Sequence, residues 1–242
     1  MSCDEQSNYQ GQIDRATDGS QEAVLPFSPQ HSYEEKFHNE IIEELHQGDL
    51  VWDVGANVGF YTKVFAERVG ETGCVFAFEP APATYEKLCR ETKDYSWVQN
   101  EQIALSDFDG LSRMLVPKST LVGNLEGLDT VGHLESFAGE QTTGISVDVR
   151  VMCGDSYWAT SGMTPNVLKI DVEGFEDEVL TGIKSLLAVP ELRAVFLEVH
   201  FEILESRGRS DAPMRIEKLL RSKGLTPKWV DGSHMVAKRR FE

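Results

Sequence analysis

The sequence predicts an α/β fold in which helices cover both faces of a mostly parallel sheet. Short, almost continuously apolar segments near residues 50–54, 74–79, 166–171 and 194–199 alternate with longer segments whose apolar residues recur at helical spacing. A glycine-rich turn joins the first of these strands to the helix that follows it. A length of 242 residues suits one large domain of this kind.

The first half of the chain contains a polar tail followed by regular alternation of strands and helices. Residues 1–30 are rich in Ser, Gln, Asp and Glu, so we expect a flexible tail followed by a folded domain over 31–242. Residues 32–35 (SYEE) form a capping box, which predicts a helix that stops at Gly48. The elements predicted next are strands at 50–54, 74–79 and 97–104 and helices near 58–69 and 82–93.

Residues 106–150 interrupt this alternation. They hold several glycines, a short apolar segment at 114–116 and an alternating segment at 145–151, which together predict a β-rich insertion. The pattern then resumes and ends in a hairpin whose turn contains Asp231 and Gly232. The remaining predicted elements are strands at 166–171, 194–199, 225–230 and 234–238, a helix at 174–188 and a helix capped by Asp211.

The charge balance disfavours a nucleic-acid partner. The net charge is −17, and 40 acidic residues stand against 23 Lys and Arg, whereas proteins that bind phosphate backbones concentrate basic residues. A solvated acidic surface of the halophilic kind explains this composition, and a cationic partner is the alternative.

The sequence also indicates a cytoplasmic protein. No apolar segment approaches the ~20 residues of a transmembrane helix, and the first residues are polar, unlike a signal peptide. The cysteines do not follow the spacing of a zinc site, and we expect buried thiols in a reducing compartment.

Residues 53–59 (DVGANVG) form the most informative motif in the chain. A strand, a glycine turn and a helix N-terminus bind nucleotide-like cofactors in open α/β sheets, although glycine turns also serve packing alone. Gly55, Asn57 and Gly59 do not match the spacing of a dinucleotide site. Asp53 would repel a pyrophosphate but suits a ligand with a positive amine, such as the methionyl end of S-adenosylmethionine.

Glu79 follows the second predicted strand, twenty positions after Gly59. A carboxylate at this place can accept two hydrogen bonds from a ribose diol. The alternative interpretation is a cap on the next helix or a surface charge. The combination of Glu79 with the glycine turn favours the ribose.

Polar residues also follow the later strands of the predicted sheet. Asp171 ends the strand predicted at 166–171 and Glu173 follows it, while Glu198 lies near the end of the strand predicted at 194–199 and His200 follows it. Because ligands bind at the carboxyl ends of parallel strands, these four residues are candidate active-site residues. The acidic residues at 176–178 are explained as partners of a helix dipole, and the other histidines receive no role.

These motifs together resemble the FkbM-like, S-adenosylmethionine-dependent methyltransferases. The resemblance covers about residues 48–202 and rests on five segments: 48–62 (GDLVWDVGANVGFYT), 75–80 (VFAFEP), 104–107 (ALSD), 168–176 (LKIDVEGFE) and 197–200 (LEVH). Phe175 stands where members often carry a small residue.

The resemblance implies a class I methyltransferase fold, which is a Rossmann-like, seven-stranded, mostly parallel sheet with an antiparallel last strand. It implies that Asp53 and the glycine turn hold the methionyl part of S-adenosylmethionine and that Glu79 holds the ribose. Ala104 and Ser106 would line the adenine. The insertion at 106–150 would shape the acceptor pocket.

The expected function is therefore methyl transfer from S-adenosylmethionine to a hydroxyl on a sugar, a lipid or a secondary metabolite. His200 or Asp171 is the candidate base, and Glu173 and Glu198 would orient it or bind the acceptor. No metal is expected, although these four side chains could also surround a Mg²⁺-like ion. A nicotinamide-dependent oxidoreductase and a non-catalytic cofactor-binding module of the same fold are the alternatives.

Overall fold

The computed structural model describes residues 35–117, 133–134 and 144–240. The strands are β1 (Leu50–Val54), β2 (Cys74–Phe78), β3 (Val98–Glu101), β4 (Ala104–Ser106), β5 (Gly110–Pro117), β6 (His133–Leu134), β7 (Gly144–Cys153), β8 (Val167–Ile170), β9 (Ala194–Glu198), β10 (Leu225–Trp229) and β11 (His234–Arg239). The helices are α1 (Glu35–Glu44), α2 (Phe60–Val69), α3 (Pro82–Thr92), α4 (Gly154–Ser161), α5 (Glu176–Gly182), α6 (Phe201–Ser206) and α7 (Ala212–Ser222).

The main sheet has seven strands in the order β10-β11-β9-β8-β1-β2-β3. Strand β11 is antiparallel to both of its neighbours, and the other pairings are parallel. The predicted seven-stranded sheet with an antiparallel last strand is therefore confirmed. The chain runs outward from β1 to β3 and returns to β8 on the other side of β1, so the strand order reverses between β1 and β8.

Helices cover both faces because successive strand residues point to opposite sides of the sheet. Trp52 of β1 belongs to a buried cluster with Leu180 of α5. Its neighbour Val51 belongs to a second cluster with Phe37 of α1 and Phe65 of α2. Among the helices of the described residues, none is long and apolar enough to span a membrane.

The single strand predicted at 97–104 is wrong. The chain forms β3 at the edge of the main sheet and then β4, which belongs to a second sheet in the order β4-β7-β5-β6. Strand β4 pairs with β7, about fifty residues later in the chain, and no local pattern reveals such a partner. Ala104 and Ser106 therefore lie on the second sheet and not after the third strand of the main sheet.

The structure describes only part of the predicted insertion. The strands expected near 114–116 and 145–151 are present as β5 and β7, which pair antiparallel along their whole length. Residues 118–132 and 135–143 and the predicted tail at 1–30 lie outside the described residues.

The helix predicted at 174–188 is shorter than expected. It consists of α5 and a separate 3₁₀ turn at Leu186–Ala188. A Cβ atom on Gly182 would lie 1.8 Å from the carbonyl oxygen of Ser106, so this position at the end of α5 packs directly against the backbone after β4. This close approach brings the second sheet against the main domain. Helices α4 and α6 were not predicted, because both are short.

Candidate active site

The glycine turn after β1 lies where the strand order reverses. Gly55 and Asn57 adopt positive φ angles of 81° and 50°, which glycine and asparagine tolerate. The N–H groups of Gly55 and Ala56 both donate to the Phe78 carbonyl at 3.0 Å, which ties the turn to the end of β2. A Cβ atom on Gly55 would lie 1.8 Å from the backbone oxygen of Asp171 after β8. The ends of three adjacent strands therefore meet at this turn.

Glu79 holds the opposite side of the turn. Its Oε2 accepts the N–H of Asn57 at 3.1 Å, and its Oε1 accepts the N–H of Ala81 at 2.8 Å. Burial raises the pKa of Glu79 to about 7, although these two backbone hydrogen bonds oppose the shift. The N-cap of α3 is Ala81 and not Glu79, so Glu79 supports the start of this helix only through the Ala81 N–H. Each carboxylate oxygen can accept a further hydrogen bond, so capping and ligand binding are compatible.

A cavity opens between the glycine turn and the second sheet. Its lining contains predicted cofactor residues, two predicted catalytic carboxylates and apolar side chains. The predicted site residues in this lining are Gly55, Asn57, Glu79, Ala104, Asp171 and Glu173. The apolar residues include Phe78, Ile103, Leu105, Met114, Val116 and Phe175. Arg207 stacks on the outer side of the Phe175 ring, with its guanidinium carbon 3.5 Å from the ring centroid.

Three of the predicted cofactor residues, Asp53, Gly59 and Ser106, are not among the described residues that line this cavity. Gly59 is the N-cap of α2, and a Cβ atom there would lie 2.9 Å from Leu88 of α3. Ser106 is 3% exposed, and its hydroxyl donates to Asp107 at 3.3 Å.

The Asp53 side chain is completely buried on the α2 side of the sheet. Its Oδ2 accepts the hydroxyl hydrogen of Thr62 at 2.6 Å, and its Oδ1 lies 3.7 Å from the Nζ of Lys169. Asp53 and Lys169 are direct neighbours across β1 and β8, so both point to the same face. This pairing follows from the high free-energy cost of burying an unpaired charge.

Lys169 links this buried pair to the edge of the sheet. Its Nζ donates to Oδ2 of Asp171 at 3.2 Å and lies 5.0 Å from the centroid of the Tyr61 ring. Burial lowers the pKa of the ammonium, but the charges of Asp171 and Asp53 outweigh burial and raise it. Lys169 is therefore a positioned cation behind Asp171.

His200 lies at the centre of a cluster of four carboxylates. Its Nδ1 is 2.8 Å from Oε1 of Glu176, and its Nε2 is 3.2 Å from Oε2 of Glu173. The Nε2 atom is also 3.8 Å from Oδ1 of Asp171 and 4.0 Å from Oε1 of Glu198. The four predicted catalytic residues are thus brought together, and Glu176 joins them.

The charges of this cluster shift two pKa values strongly. Burial lowers the pKa of His200, but the hydrogen bond to Glu176 and the neighbouring carboxylates outweigh it and raise the pKa to about 9. Burial raises the pKa of Glu173 to about 7, against the opposing charge of His200. Glu173 also has a φ angle of 51°, a conformation that non-glycine residues seldom adopt.

The side chain of His234 extends the cluster to the terminal hairpin. His234 of β11 faces Glu198 of β9 in the antiparallel register, and its Nε2 lies 3.5 Å from Oε2 of Glu198. Its Nδ1 lies 2.9 Å from both carboxylate oxygens of Asp231, and its ring stacks on Phe37 of α1 at 4.2 Å. Burial raises the pKa of Glu198, but the hydrogen bond from His234 and the charge of His200 outweigh it, so the pKa is lowered.

Sequence reasoning missed Glu176, His234 and Asp231. Glu176 looked like an ordinary acidic residue in the first turn of a helix, and Asp177 and Glu178 beside it do bind arginines of the following loop and α7. Asp177 and Glu178 are buried as well, so the distinguishing feature of Glu176 is its partner: its Oε1 lies 2.8 Å from Nδ1 of His200. The pairing of β11 with β9 places His234 opposite Glu198, but no local sequence pattern reveals this register.

The strand order, the glycine turn at the reversal point and the acidic cluster beside it define a class I methyltransferase domain. The family model described as "Methyltransferase FkbM domain" matches residues 53–224. The chain belongs to this family.

Two curated relatives carry related names. The chain is 28% identical over 162 residues to hexuronic acid methyltransferase AglP of Haloferax volcanii, which covers 66% of this chain and 59% of the relative. It is 32% identical over 177 residues to 31-O-demethyl-FK506 methyltransferase FkbM of Streptomyces tacrolimicus, which covers 65% of this chain and 67% of the relative. The chain thus spans about three fifths to two thirds of these relatives.

A solved structure of methyltransferase FkbM from Methylobacillus flagellatus KT aligns with a TM-score of 0.48 and 15% identity. The alignment covers 78% of this chain and 43% of that one.

Proposed function

We propose that this protein transfers the methyl group of S-adenosylmethionine to a hydroxyl oxygen of a sugar, a lipid or a small metabolite. Membership of the methyltransferase family supports the reaction class. The two curated relatives are named as methyltransferases of a hexuronic acid and of a demethylated macrolide oxygen, which supports an oxygen acceptor.

The cavity beside the glycine turn fits the proposed cofactor. Gly55 and Asn57 leave the turn open to a polar ligand, and Glu79 is a held carboxylate that suits a ribose diol. The second sheet contributes Ala104 and further apolar side chains, which suit the flat face of an adenine ring. Asp53 would have to leave its buried pair with Lys169 to bind the methionyl amine directly.

One observation carries the catalytic proposal. Asp171 and Glu173 line the cofactor cavity and also belong to the cluster around His200. These two carboxylates lie at the boundary between a site that suits the cofactor and a second polar site. That boundary is the place where a methyl group would pass from one ligand to the other.

The reaction requires alignment and the removal of one proton. S-adenosylmethionine supplies an electrophilic methyl group and leaves as S-adenosylhomocysteine. As the bond from the acceptor oxygen to the methyl carbon forms, the hydroxyl proton passes to a carboxylate of the Asp171 and Glu173 pair, which lies at the cavity wall. Such proton transfer contributes about 10²–10⁴-fold, and alignment contributes the rest.

His200 and Glu198 act behind this pair. His200 lies between all four carboxylates, and the two histidine contacts of Glu198 hold its orientation. Of the two bases considered from the sequence, the geometry favours Asp171, because His200 is set back from the described cavity wall. We propose a positioning role for His200.

We propose that the acceptor is a small molecule, a glycan or a lipid. We also propose that the enzyme is cytoplasmic and has no nucleic-acid partner. A net charge of −17 opposes phosphate-rich polymers. Cys74, Cys89 and Cys153 are free thiols, and they are half-buried rather than buried as expected.

Calorimetric titration with S-adenosylhomocysteine and with NAD tests the cofactor. We expect saturable binding of S-adenosylhomocysteine that Glu79→Gln weakens at least tenfold, because the amide cannot accept both backbone and ribose hydrogen bonds as the carboxylate does. The matched control is Glu191→Gln, which removes an exposed carboxylate in the turn before β9. Preferential binding of NAD would overturn the proposal.

Radiolabelled methyl transfer tests the reaction. A screen over glycans, lipids and small hydroxylated metabolites should identify an acceptor that Asp171→Asn no longer methylates while S-adenosylhomocysteine still binds. His200→Ala should lower turnover and leave cofactor affinity nearly unchanged, and Glu191→Gln should retain full activity. Cofactor binding without transfer to any acceptor class would instead identify a non-catalytic module, and full activity of His200→Ala would exclude a role for the histidine.

A further inference from the structure

One group of side chains at the carboxyl edge of β8 and β9 has the arrangement of metal ligands. One carboxylate oxygen of Asp171, one of Glu198 and one ring nitrogen of His200 lie within 4.8 Å of one another. His200 Nε2 is 3.8 Å from Asp171 and 4.0 Å from Glu198, and both distances are too long for hydrogen bonds. Such spacing leaves room for a cation with ligand distances of about 2.0–2.6 Å.

From this geometry we infer that Asp171, Glu198 and His200 form a binding site for a divalent cation of the Mg²⁺ or Mn²⁺ type. The sequence analysis expected no metal, because paired carboxylates and a histidine equally suit a hydrogen-bond network. The contacts around each ligand now favour the ion.

Each of the three ligands is held by a partner on its other polar atom. Asp171 Oδ2 accepts a hydrogen bond from Lys169 at 3.2 Å, and Glu198 Oε2 lies 3.5 Å from His234. His200 Nδ1 lies 2.8 Å from Glu176. Metal ligands are typically oriented in this way by outer hydrogen-bond partners, which leave one atom of each ligand directed at the ion.

Glu176 is the independent observation that points to a cation at Nε2. Its side chain is 0% exposed, and its Oε1 also accepts the N–H of Gly174 at 2.8 Å. When the Glu176 carboxylate accepts a hydrogen from Nδ1, the Nε2 atom faces Glu173 at 3.2 Å and, farther away, Asp171 and Glu198. A proton on Nε2 would hydrogen-bond to Glu173, and a metal ion bound at Nε2 would displace that proton.

The charge of the cluster favours a divalent ion over a single proton. Asp171, Glu173, Glu176 and Glu198 all lie within 4.0 Å of His200. Lys169 beside Asp171 and His234 beside Glu198 offset part of this negative charge, and a divalent ion would offset more of the remainder than one proton on His200 does. Oxygen-rich sites with one imidazole suit Mg²⁺ and Mn²⁺ better than soft metals, which prefer sulfur.

The site has a direct use if the proposed function holds. Asp171 lines the cofactor cavity, so an ion bound to it would lie beside the transferred methyl group. Coordination of the acceptor hydroxyl by the ion would lower the pKa of that hydroxyl. Glu173, which lines the cavity but lies outside the three-ligand group, would then receive the proton.

Ion binding can be tested without cofactor or acceptor. The intact chain is titrated with Mn²⁺, and the electron paramagnetic resonance signal of the free ion reports binding. We expect one specific site per chain from which Mg²⁺ displaces Mn²⁺. Glu198→Gln and His200→Gln should each raise the Kd at least tenfold, and Glu176→Gln should raise it about 10–100-fold through His200.

Matched controls separate this site from the acidic surface. Glu191→Gln removes an exposed carboxylate in the turn before β9 and should leave the Kd unchanged. In proton NMR spectra, bound Mn²⁺ should broaden the ring signals of His200 and spare those of His46, which is 65% exposed near Arg193. Circular dichroism confirms that each variant is folded.

Three results would overturn the inference: no binding at millimolar Mn²⁺, equal affinity in the ligand variants and the Glu191→Gln control, or broadening of His46 without His200. These outcomes are independent of the proposed reaction, because S-adenosylhomocysteine binding and methyl transfer are measured separately. Full methyl transfer in EDTA would remove the catalytic use of the ion.

Discussion

Replacement of Gly55 by alanine should destabilise the protein more than the same change at an unconstrained glycine. Gly55 has a φ angle of 81°, and its Cβ would lie 1.8 Å from the Asp171 oxygen and 2.8 Å from the Asp171 carbonyl carbon. Both atoms belong to the backbone, so no side-chain rotation can relieve the overlap. The ends of β1 and β8 must separate instead.

The expected size of the effect has two parts. A left-handed backbone costs an alanine about 1–2 kcal/mol, and overpacking against a rigid neighbour adds about 1–3 kcal/mol. Gly55→Ala should therefore lower the free energy of unfolding by about 2–5 kcal/mol. Gly162 has a φ angle of 66°, and a Cβ atom there would meet no atom within 4 Å, so Gly162→Ala should lose only about 1–2 kcal/mol.

Urea unfolding followed by tryptophan fluorescence measures both variants, since Trp52 is fully buried in β1. Affinity for S-adenosylhomocysteine provides a second readout, and Gly55→Ala should weaken it while Gly162→Ala should not. Equal destabilisation of the two variants would refute the close approach of β1 and β8 as the reason for glycine at position 55.

Three further predictions concern the cofactor site, the core and the ion pair between Arg193 and Asp49. Affinity for S-adenosylhomocysteine should fall about tenfold from pH 8 to pH 6, because Glu79 has a pKa of about 7 and only its carboxylate form accepts both ribose hydrogens. Calorimetry at the two pH values measures this change, and Glu79→Gln should not show it. Leu180→Ala in the core should lower the free energy of unfolding by about 2–5 kcal/mol, whereas Leu111→Ala, at a residue 76% exposed, should change it by less than about 0.5 kcal/mol in the same urea assay. Arg193→Ala should cost about 1–3 kcal/mol by the same measurement, because it leaves the buried Asp49 carboxylate without its two-pronged partner at 2.7 and 3.0 Å; an unchanged urea midpoint would contradict this role.

Local patterns were sufficient for the elements whose signals are local. Continuous apolar strands, helical spacing and the glycine turn predicted the alternating architecture and the place of the ligand edge. The same reasoning failed at 97–104, where neighbouring residues supply strands to two different sheets. It also overextended the helix at 174–188, since the contact that crowds Gly182 comes from Ser106, far away in the sequence.

The candidate site divides in the same way. Asp171, Glu173, Glu198 and His200 could be chosen from the sequence because strand ends converge at one edge of a parallel sheet. Their grouping around Nε2 of His200 was not predictable, because it depends on side-chain directions after the strands have ended. Glu176 and His234 reach the cluster through a backbone turn and an antiparallel register, and neither leaves a local pattern.

The sequence by itself determined the fold class, the glycine turn and which strand ends carry chemistry, since these follow from periodicity and residue type along the chain. Only the tertiary structure decided which atoms meet. It buried Asp53 against Lys169, because adjacent strands place both on one face and a buried charge requires a partner. It also gathered four carboxylates around one imidazole, three from residues 171–176 and one from the end of β9, because packing brings the ends of β8 and β9 together.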